Sequence, residues 1–384
     1  MKALLISTIL TVSLTSAAQN QRLTVLEYHP APGQFTNTLP AFSSGDTYAE
    51  LLKRCEEQLE DGNPVCLGAY GGYITIALPQ PINNGKGSDL RILGNAFYAT
   101  DDPKYGAATI GGSIEPGIVY AGVGSSPETA EWYELAGSEY YTTEIHDYEI
   151  TYYRPTAETG DHSEPYMSYD RYIRWTAAWT DTEGNRQTTE GWQPKNIYRS
   201  QTYWPMWENG DKLTFRGGKL PDNAVNYGGT GEDPQNPQSW VQYRYAKDSY
   251  GYVDAAPTAN SSDTIYNTFD LDWAVDAEGN PVKLDHADYI RIQTGLNQHC
   301  GWIGETSTEV TAMVNLHLIP GYDDNPIIIT PRKRPTSVNM TSAGTRREVA
   351  RFSIDGRRLT EPAPGVNIIR YSDGTTQKVV VGPI

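Results

Sequence analysis

Short runs of alternating apolar and polar residues fill most of the chain, and turn-forming residues separate them. This period-2 pattern predicts β-strands, and the lack of helical crossovers between the runs predicts antiparallel sheets. Many short strands joined by turns are typical of a β-sandwich, most simply a jelly roll, so the predicted fold is all-β. The predicted strands are Tyr70–Leu78, Asp89–Leu93, Ile118–Val123, Trp132–Leu135, Tyr148–Tyr153, Tyr172–Trp175, Lys212–Phe215, Trp240–Tyr245, Phe269–Val275 and Ala287–Gln293.

One helix is predicted near residues 46–61, ahead of the strands. Asp46 is a suitable N-cap because its carboxylate can accept a hydrogen bond from a free backbone N–H in the first turn. Gly62 and Pro64 then end the helix. One face of it carries the apolar residues Leu51, Leu52, Cys55 and Leu59.

The last two predicted strands precede a loop, Gly295–Glu309, that is dense in Gly and polar residues. Such a stretch is typical of a shaped loop held by a scaffold. Trp302 is the first candidate for stacking on a ligand, because exposed indoles stack on sugar rings or flat macrocycles. Gln298, His299 and Glu305 are candidates for hydrogen bonds to the same ligand. The alternative is a plug that buries Trp302 at the end of the sandwich.

Other aromatic residues punctuate the strands, with 27 Tyr and 9 Trp in the chain. Trp132 and Glu134, in one predicted strand, are further candidates for ligand contact. Core packing is expected to account for more than half of the aromatic residues, since tryptophan is mostly buried on average.

A calcium site is predicted from Asp270 and Asp272, which share one face if the stretch is a strand. Two like charges on one face repel unless a cation lies between them, and Ca²⁺ takes oxygen ligands. Asn95 and Glu115 are candidates for further oxygen ligands. The alternatives are a solvated strand face or an ion pair with Arg291.

Composition and charge divide the chain. The net charge is −17, which disfavours binding to nucleic acid, but residues 332–384 hold ten Lys/Arg against four Asp/Glu.

Residues 1–18 have a positive start, an apolar run and a small-residue end, which is typical of a secretory signal peptide rather than a buried N-terminal helix. The predicted organisation is a signal peptide at 1–18, a body at 19–320, a linker at 321–335 and a tail module at 336–384.

Three cysteines, Cys55, Cys66 and Cys300, follow the predicted signal peptide. An exported chain with three cysteines has room for one disulfide, and Cys55–Cys66 is the closer pair in sequence. Three buried free thiols are the alternative.

The tail contains Phe352–Leu359, Gly365–Tyr371 and Lys378–Val381. These segments resemble the C-terminal sorting domain of type IX secretion cargo. The resemblance implies transit across the outer membrane by the type IX machinery and removal of the tail. It also implies that the body is released or fixed to the cell surface.

The body resembles a family of bacterial cell-surface proteins of poorly defined function. Some members of that family are associated with outer-membrane nutrient capture, including cobamide uptake. Phe269–Val275 also resembles the aspartate-bearing last strand of carbohydrate-binding modules, in which the aspartate often binds a structural calcium. The matching blocks are Gly71–Thr75, Asp89–Phe97, Ser113–Val119, Trp132–Glu139, Tyr148–Pro155, Phe269–Pro281 and Gly295–Val310.

Motifs for serine hydrolases, zinc peptidases and P-loop NTPases are not found in the sequence. The function predicted is therefore non-catalytic binding of a glycan, or of a bulky nutrient such as a cobamide, by a secreted or surface-attached protein. The alternative is a carbohydrate-active hydrolase on a β-sandwich, which requires two facing carboxylates roughly 5–10 Å apart in a cleft.

Overall fold

The computed structural model describes residues 22–98, 111–155, 172–194, 202–226, 240–257, 264–301, 304–334, 348–353, 358–371 and 376–381. These residues are mostly strands in antiparallel sheets, with few helices, so the all-β prediction is confirmed. The chain divides into two compact units, Met1–Arg332 and Lys333–Ile384. The predicted signal peptide at 1–18 lies outside the described residues.

The first unit contains one α-helix and a series of short strands. In chain order they are β1 (Thr24–His29), α1 (Tyr48–Glu60), β2 (Val65–Cys66), β3 (Tyr73–Ala77), β4 (Ile82–Asn83), β5 (Leu90–Leu93), β6 (Phe97–Tyr98), β7 (Gly111–Ser113), β8 (Gly117–Val123), β9 (Glu131–Leu135), β10 (Ile145–Tyr153), β11 (Tyr172–Thr180), β12 (Arg186–Pro194) and β13 (Lys212–Lys219). They continue with β14 (Ala224–Asn226), β15 (Trp240–Tyr243), β16 (Thr268–Phe269), β17 (Ala274–Val275), β18 (His286–Ala287), β19 (Tyr289–Thr294), β20 (Glu309–Val310) and β21 (Ala312–Asn315). Short 3-10 helices lie at Thr264–Asn267, Leu271–Trp273 and Leu316–Leu318.

A six-stranded sheet, in the order β1-β3-β19-β8-β9-β17, organises the first unit. Because side chains alternate along a strand, one face of this sheet is apolar and belongs to the main core, together with the buried face of α1. The core members from these elements include Ile74, Ile76, Val119, Ala121, Ile290, Ile292, Leu51, Cys55 and Leu59. The opposite face carries Tyr73, Trp132 and Arg291, and the Arg291 guanidinium contacts both aromatic rings.

A four-stranded sheet, in the order β12-β11-β10-β13, buries a second core that includes Tyr148, Ile150 and Phe215. Gly71 is required at the edge of this core. Its φ is +87°, and a Cβ there would lie 2.3 Å from the Cβ of Phe215. A side chain at this position would therefore be both strained and in collision.

The helix begins two residues later than predicted, and Asp46 is not its cap. Thr47 is the N-cap: its hydroxyl accepts from the Glu50 N–H, and the Glu50 carboxylate accepts from the Thr47 N–H. This reciprocal capping box satisfies two donors that have no partner inside the helix. Asp46 instead accepts a hydrogen bond from Arg54 at 2.5 Å.

The predicted strand Phe269–Val275 is wrong as a continuous strand. The 3-10 helix Leu271–Trp273 interrupts it, and Asp270 caps this helix by accepting from the Asp272 N–H at 2.9 Å. Asp side chains compete in this way with strand hydrogen bonding. Asp270 and Asp272 therefore do not share a strand face. Each of the other predicted strands overlaps an observed one.

All three cysteines are free and buried, which matches the three-thiol alternative rather than a Cys55–Cys66 bridge. The described residues contain no helix long and apolar enough to cross a membrane.

The second unit contains β22 (Glu348–Ser353), β23 (Arg358–Leu359), β24 (Gly365–Tyr371) and β25 (Thr376–Val381). They form one antiparallel sheet in the order β23-β22-β24-β25.

Candidate functional site

The loop after β19 lines a small cavity beside the four-stranded sheet. Gln298, His299 and Glu305 contribute to its wall together with the half-buried Trp175 and Trp192, and its volume is about 70 Å³. Trp302, predicted to stack on a ligand, lies outside the described residues. Three of the four loop residues singled out from the sequence are thus brought together, and the two tryptophans come from β11 and β12.

Hydrogen bonds fix the polar wall of this cavity. The Gln298 Oε1 accepts from the backbone N–H groups of Asn223 and Ala224 at 3.0 and 2.9 Å, and its amide donates to the Ala224 carbonyl. The Glu305 Oε1 accepts from the Gln34 N–H at 2.6 Å. Gln298 therefore joins the loop to β14, and Glu305 joins it to the segment that follows β1.

His299 and Glu305 face each other across an isolated β-bridge. Burial lowers the pKa of His299 to about 3, because the surroundings disfavour the charged imidazolium. His299 is therefore a neutral ring at physiological pH. Trp192 pairs with Arg174 across the strands, so its side chain points to the opposite face of the sheet from the Trp175 indole. The wall therefore combines a neutral imidazole, a carboxylate and the Trp175 indole, a combination able to bind a polar ligand that also presents an apolar face.

Trp132 and Glu134 lie elsewhere, on the face of the six-stranded sheet opposite the main core. The Arg291 guanidinium lies 4.0 Å from the centre of the Trp132 ring and 4.6 Å from that of Tyr73. Arg291 also donates to Glu27 at 2.8 Å. One face of the Trp132 indole is therefore occupied by a cation of the same chain. The alternative pairing of Arg291 with Asp270 or Asp272 is wrong, since its ion pair is with Glu27.

The four predicted calcium ligands fall in two separate places. Asp272 accepts from the Asn84 side chain at 2.9 Å. Asp270 lies near the buried Asp89, and burial, followed by the charges of Asp89 and Asp272, raises the pKa of Asp270 to about 7. His317 joins Asp89 at 2.8 Å and Asp323 at 2.5 Å. His317 therefore pairs with both Asp89 and Asp323.

Glu115 forms a second acidic cluster with Asp254 and Glu309. One carboxylate oxygen of each residue lies within 4.8 Å of an oxygen of each of the other two. The Glu115 Oε1 accepts from the Ser307 N–H at 2.9 Å, and the Glu309 Oε1 accepts from the Ser307 hydroxyl at 3.1 Å. Asn95 contributes its backbone N–H to Asp254 at 2.8 Å. The sequence analysis found Glu115 but missed Asp254 and Glu309, because the three residues come from distant segments.

No known protein-family model matches this chain, and no curated protein is significantly similar to it.

Proposed function

We propose that this protein is an exported, non-catalytic binding protein that recognises a glycan at the cavity formed by Trp175, Trp192, Gln298, His299 and Glu305. The observation that carries the proposal is that the Trp175 indole, a carboxylate and a neutral imidazole line one concave site. Indole faces stack on the apolar faces of sugar rings, while the polar groups hydrogen-bond sugar hydroxyls.

The size of the cavity favours a glycan over a cobamide as the ligand. About 70 Å³ is far below the ~300–1,000 Å³ of pockets that enclose a drug-sized molecule. A cavity this small admits one substituent of a ligand whose remainder lies on the surface. A glycan fits this mode, because a chain of rings offers small protruding groups. Enclosure of a bulky cobamide does not fit it.

The hydrolase alternative is less well supported. Glu134 and Glu144 are paired carboxylates, but the Glu134 Oε1 and both Glu144 oxygens are buried, out of reach of a sugar ring. A retaining glycosidase needs ~5–5.5 Å between carboxyl groups that both reach the sugar. Binding without hydrolysis is therefore the function proposed.

Export through the type IX machinery, with residues 336–384 as the sorting module, belongs to the same proposal. The proposal also includes a jelly-roll arrangement of the body and a structural calcium ion. The antiparallel sheet of β22 to β25 supports the sorting module, since the resemblance implies a small β-domain at this end. The cluster of Glu115, Asp254 and Glu309 is a better oxygen set for calcium than Asp270 with Asp272.

A screen of the purified chain on a glycan array, with a parallel corrinoid titration, tests the proposal. We expect binding to a subset of glycans and none to corrinoids. Trp175→Ala is expected to abolish the array signal, while Trp132→Ala, a tryptophan outside the cavity, retains it. Corrinoid binding without glycan binding would overturn the proposal, and so would an array signal that Trp175→Ala leaves intact.

A further inference from the structure

Glu134, Glu144 and His146 form a third cluster, separate from the cavity and from the Glu115 cluster. Glu134 lies on β9 opposite Tyr120 of β8, and His146 lies at the start of β10. One ligand atom of each of the three residues lies within 4.8 Å of the other two, and the Glu144 Oε1 lies 3.6 Å from the His146 Nδ1.

The acidic members of this cluster are buried without hydrogen-bond donors. The Glu144 side chain is 0 % exposed, and neither of its oxygens, nor the Glu134 Oε1, has a hydrogen-bond partner among the described residues. A buried carboxylate without a donor costs several kcal/mol, so such groups are rare unless a ligand or ion serves them. The Glu115 cluster differs, because backbone and hydroxyl groups donate to it.

The surroundings of the cluster are shaped around these atoms. A Cβ on Gly218 would lie 2.1 Å from the Glu144 Oε1, so only glycine leaves room for the carboxylate there. The Tyr140 ring packs on the His146 imidazole, with 4.2 Å between their centroids, and orients it. The His146 side chain is 45 % exposed, so the imidazole of the cluster reaches solvent.

We propose that Glu134, Glu144 and His146 bind a divalent transition-metal ion, with Zn²⁺ as the representative ion. Zn²⁺ binds carboxylate oxygens and imidazole nitrogens at ~2.0–2.2 Å, and a site with three protein ligands keeps a fourth position open, so these side chains would close in on the ion from their present separations. Calcium prefers oxygen ligands alone, so the imidazole selects against it. The exposed side of His146 leaves a coordination position for water or a ligand group.

Calorimetric titration of the chelator-treated, full-length chain with ZnCl₂ tests the site, together with its melting temperature. We expect a saturable site that raises the melting temperature. His146→Ala should weaken binding by about 10-fold or more, in line with the loss of a metal ligand. Glu144→Gln should remove the response to zinc while the protein remains folded.

His286→Ala is the matched control. His286 is also paired with a carboxylate, Asp288 at 3.5 Å, and its side chain is 40 % exposed. We expect its zinc affinity to equal that of the wild type. Equal zinc binding by the wild type and His146→Ala would overturn the site, as would the absence of any zinc-dependent stabilisation. Stabilisation by Ca²⁺ alone, lost in Glu144→Gln but kept in His146→Ala, would overturn the role of the imidazole.

Discussion

Glu115→Gln is expected to stabilise the metal-free protein at alkaline pH. Glu115 lies beside Asp254 and Glu309, and burial raises the pKa of Glu115 to about 7 from an ordinary 4.5. Burial and the charge of Glu115 also raise the pKa values of Asp254 and Glu309. Replacing the carboxyl group by a neutral amide of the same shape removes one ionisable group from this cluster.

The sign follows from proton linkage. A carboxyl group whose pKa is raised by folding contributes stability that is fully present below its unfolded pKa and is lost as the pH rises through its folded pKa. For Glu115 this window runs from about 4.5 to about 7. Each pH unit between the two pKa values corresponds to about 1.4 kcal/mol, which gives an upper limit of about 3 kcal/mol. Partial exposure of Glu115 reduces the expected effect to about 1–3 kcal/mol.

The amide preserves the strongest local hydrogen bond, because its oxygen still accepts from the Ser307 N–H. Its NH₂ group cannot accept from Ser113 as the carboxylate does, but that contact is long, at 3.4 Å. We therefore expect the free energy of unfolding of Glu115→Gln to exceed that of the wild type by about 1–3 kcal/mol at about pH 8. The two values should converge as the pH falls below about 4.5, where the wild-type group becomes protonated in both states.

Urea denaturation in chelator, across that pH range, measures this difference. Glu190→Gln is the control, because Glu190 is exposed and paired only with Arg174, and its effect should stay below about 1 kcal/mol. A lower stability of Glu115→Gln at about pH 8 in chelator, with an unchanged pH dependence, would refute the reasoning. In excess calcium, a loss of calcium-dependent stabilisation in Glu115→Gln would identify this cluster as the proposed calcium site.

Four further predictions follow from the fold and the export proposal. Thr47→Ala should lower the free energy of unfolding by about 1 kcal/mol in denaturation experiments, because it removes the cap of α1, whereas Asp46→Ala should cost less. Gly71→Ala should lower it by more than about 2 kcal/mol, since the new methyl group collides with Phe215. Calcium should raise the melting temperature measured in chelator, and an unchanged value would remove the calcium proposal. Deletion of residues 333–384 should abolish delivery to the cell surface in fractionation experiments, and unchanged delivery would contradict the sorting proposal.

The alternation of apolar and polar residues was sufficient to predict the all-β class and the antiparallel pairing, because a half-buried strand imposes period 2. The helix was predicted to within two residues at its start. The error there arose because Asp46 and Thr47 are both good capping residues, and only the geometry of the Glu50 side chain distinguishes them.

The metal ligands were predicted less well, for a physical reason. Asp270 and Asp272 have strand-like spacing, but a carboxylate that accepts from a neighbouring N–H favours a turn, and the 3-10 helix forms instead. The acidic clusters depend on which strands lie side by side. Glu134 and Glu144 are close in sequence but belong to different sheets. Glu134 lies on β9 of the six-stranded sheet, and Glu144 directly precedes β10 of the four-stranded sheet. No local pattern encodes that placement.

The cavity was partly predictable. Gln298, His299 and Glu305 stood out because their loop is too polar and too rich in glycine for the core. Trp175 and Trp192 did not stand out, because aromatic residues on strands are usually explained by core packing.

The most direct test of the central claim is a titration of the oligosaccharide with the strongest array signal into the full-length wild type, Trp175→Ala and Trp132→Ala. The cavity proposal predicts that Trp175→Ala raises the dissociation constant by about 10-fold or more, which corresponds to a cost of about 1.4 kcal/mol or more for removing a stacking aromatic residue. It also predicts that Trp132→Ala leaves the dissociation constant unchanged. Equal affinity of the wild type and Trp175→Ala, with Trp132→Ala weakened, would move the binding site to the face of the six-stranded sheet opposite the main core and contradict the account.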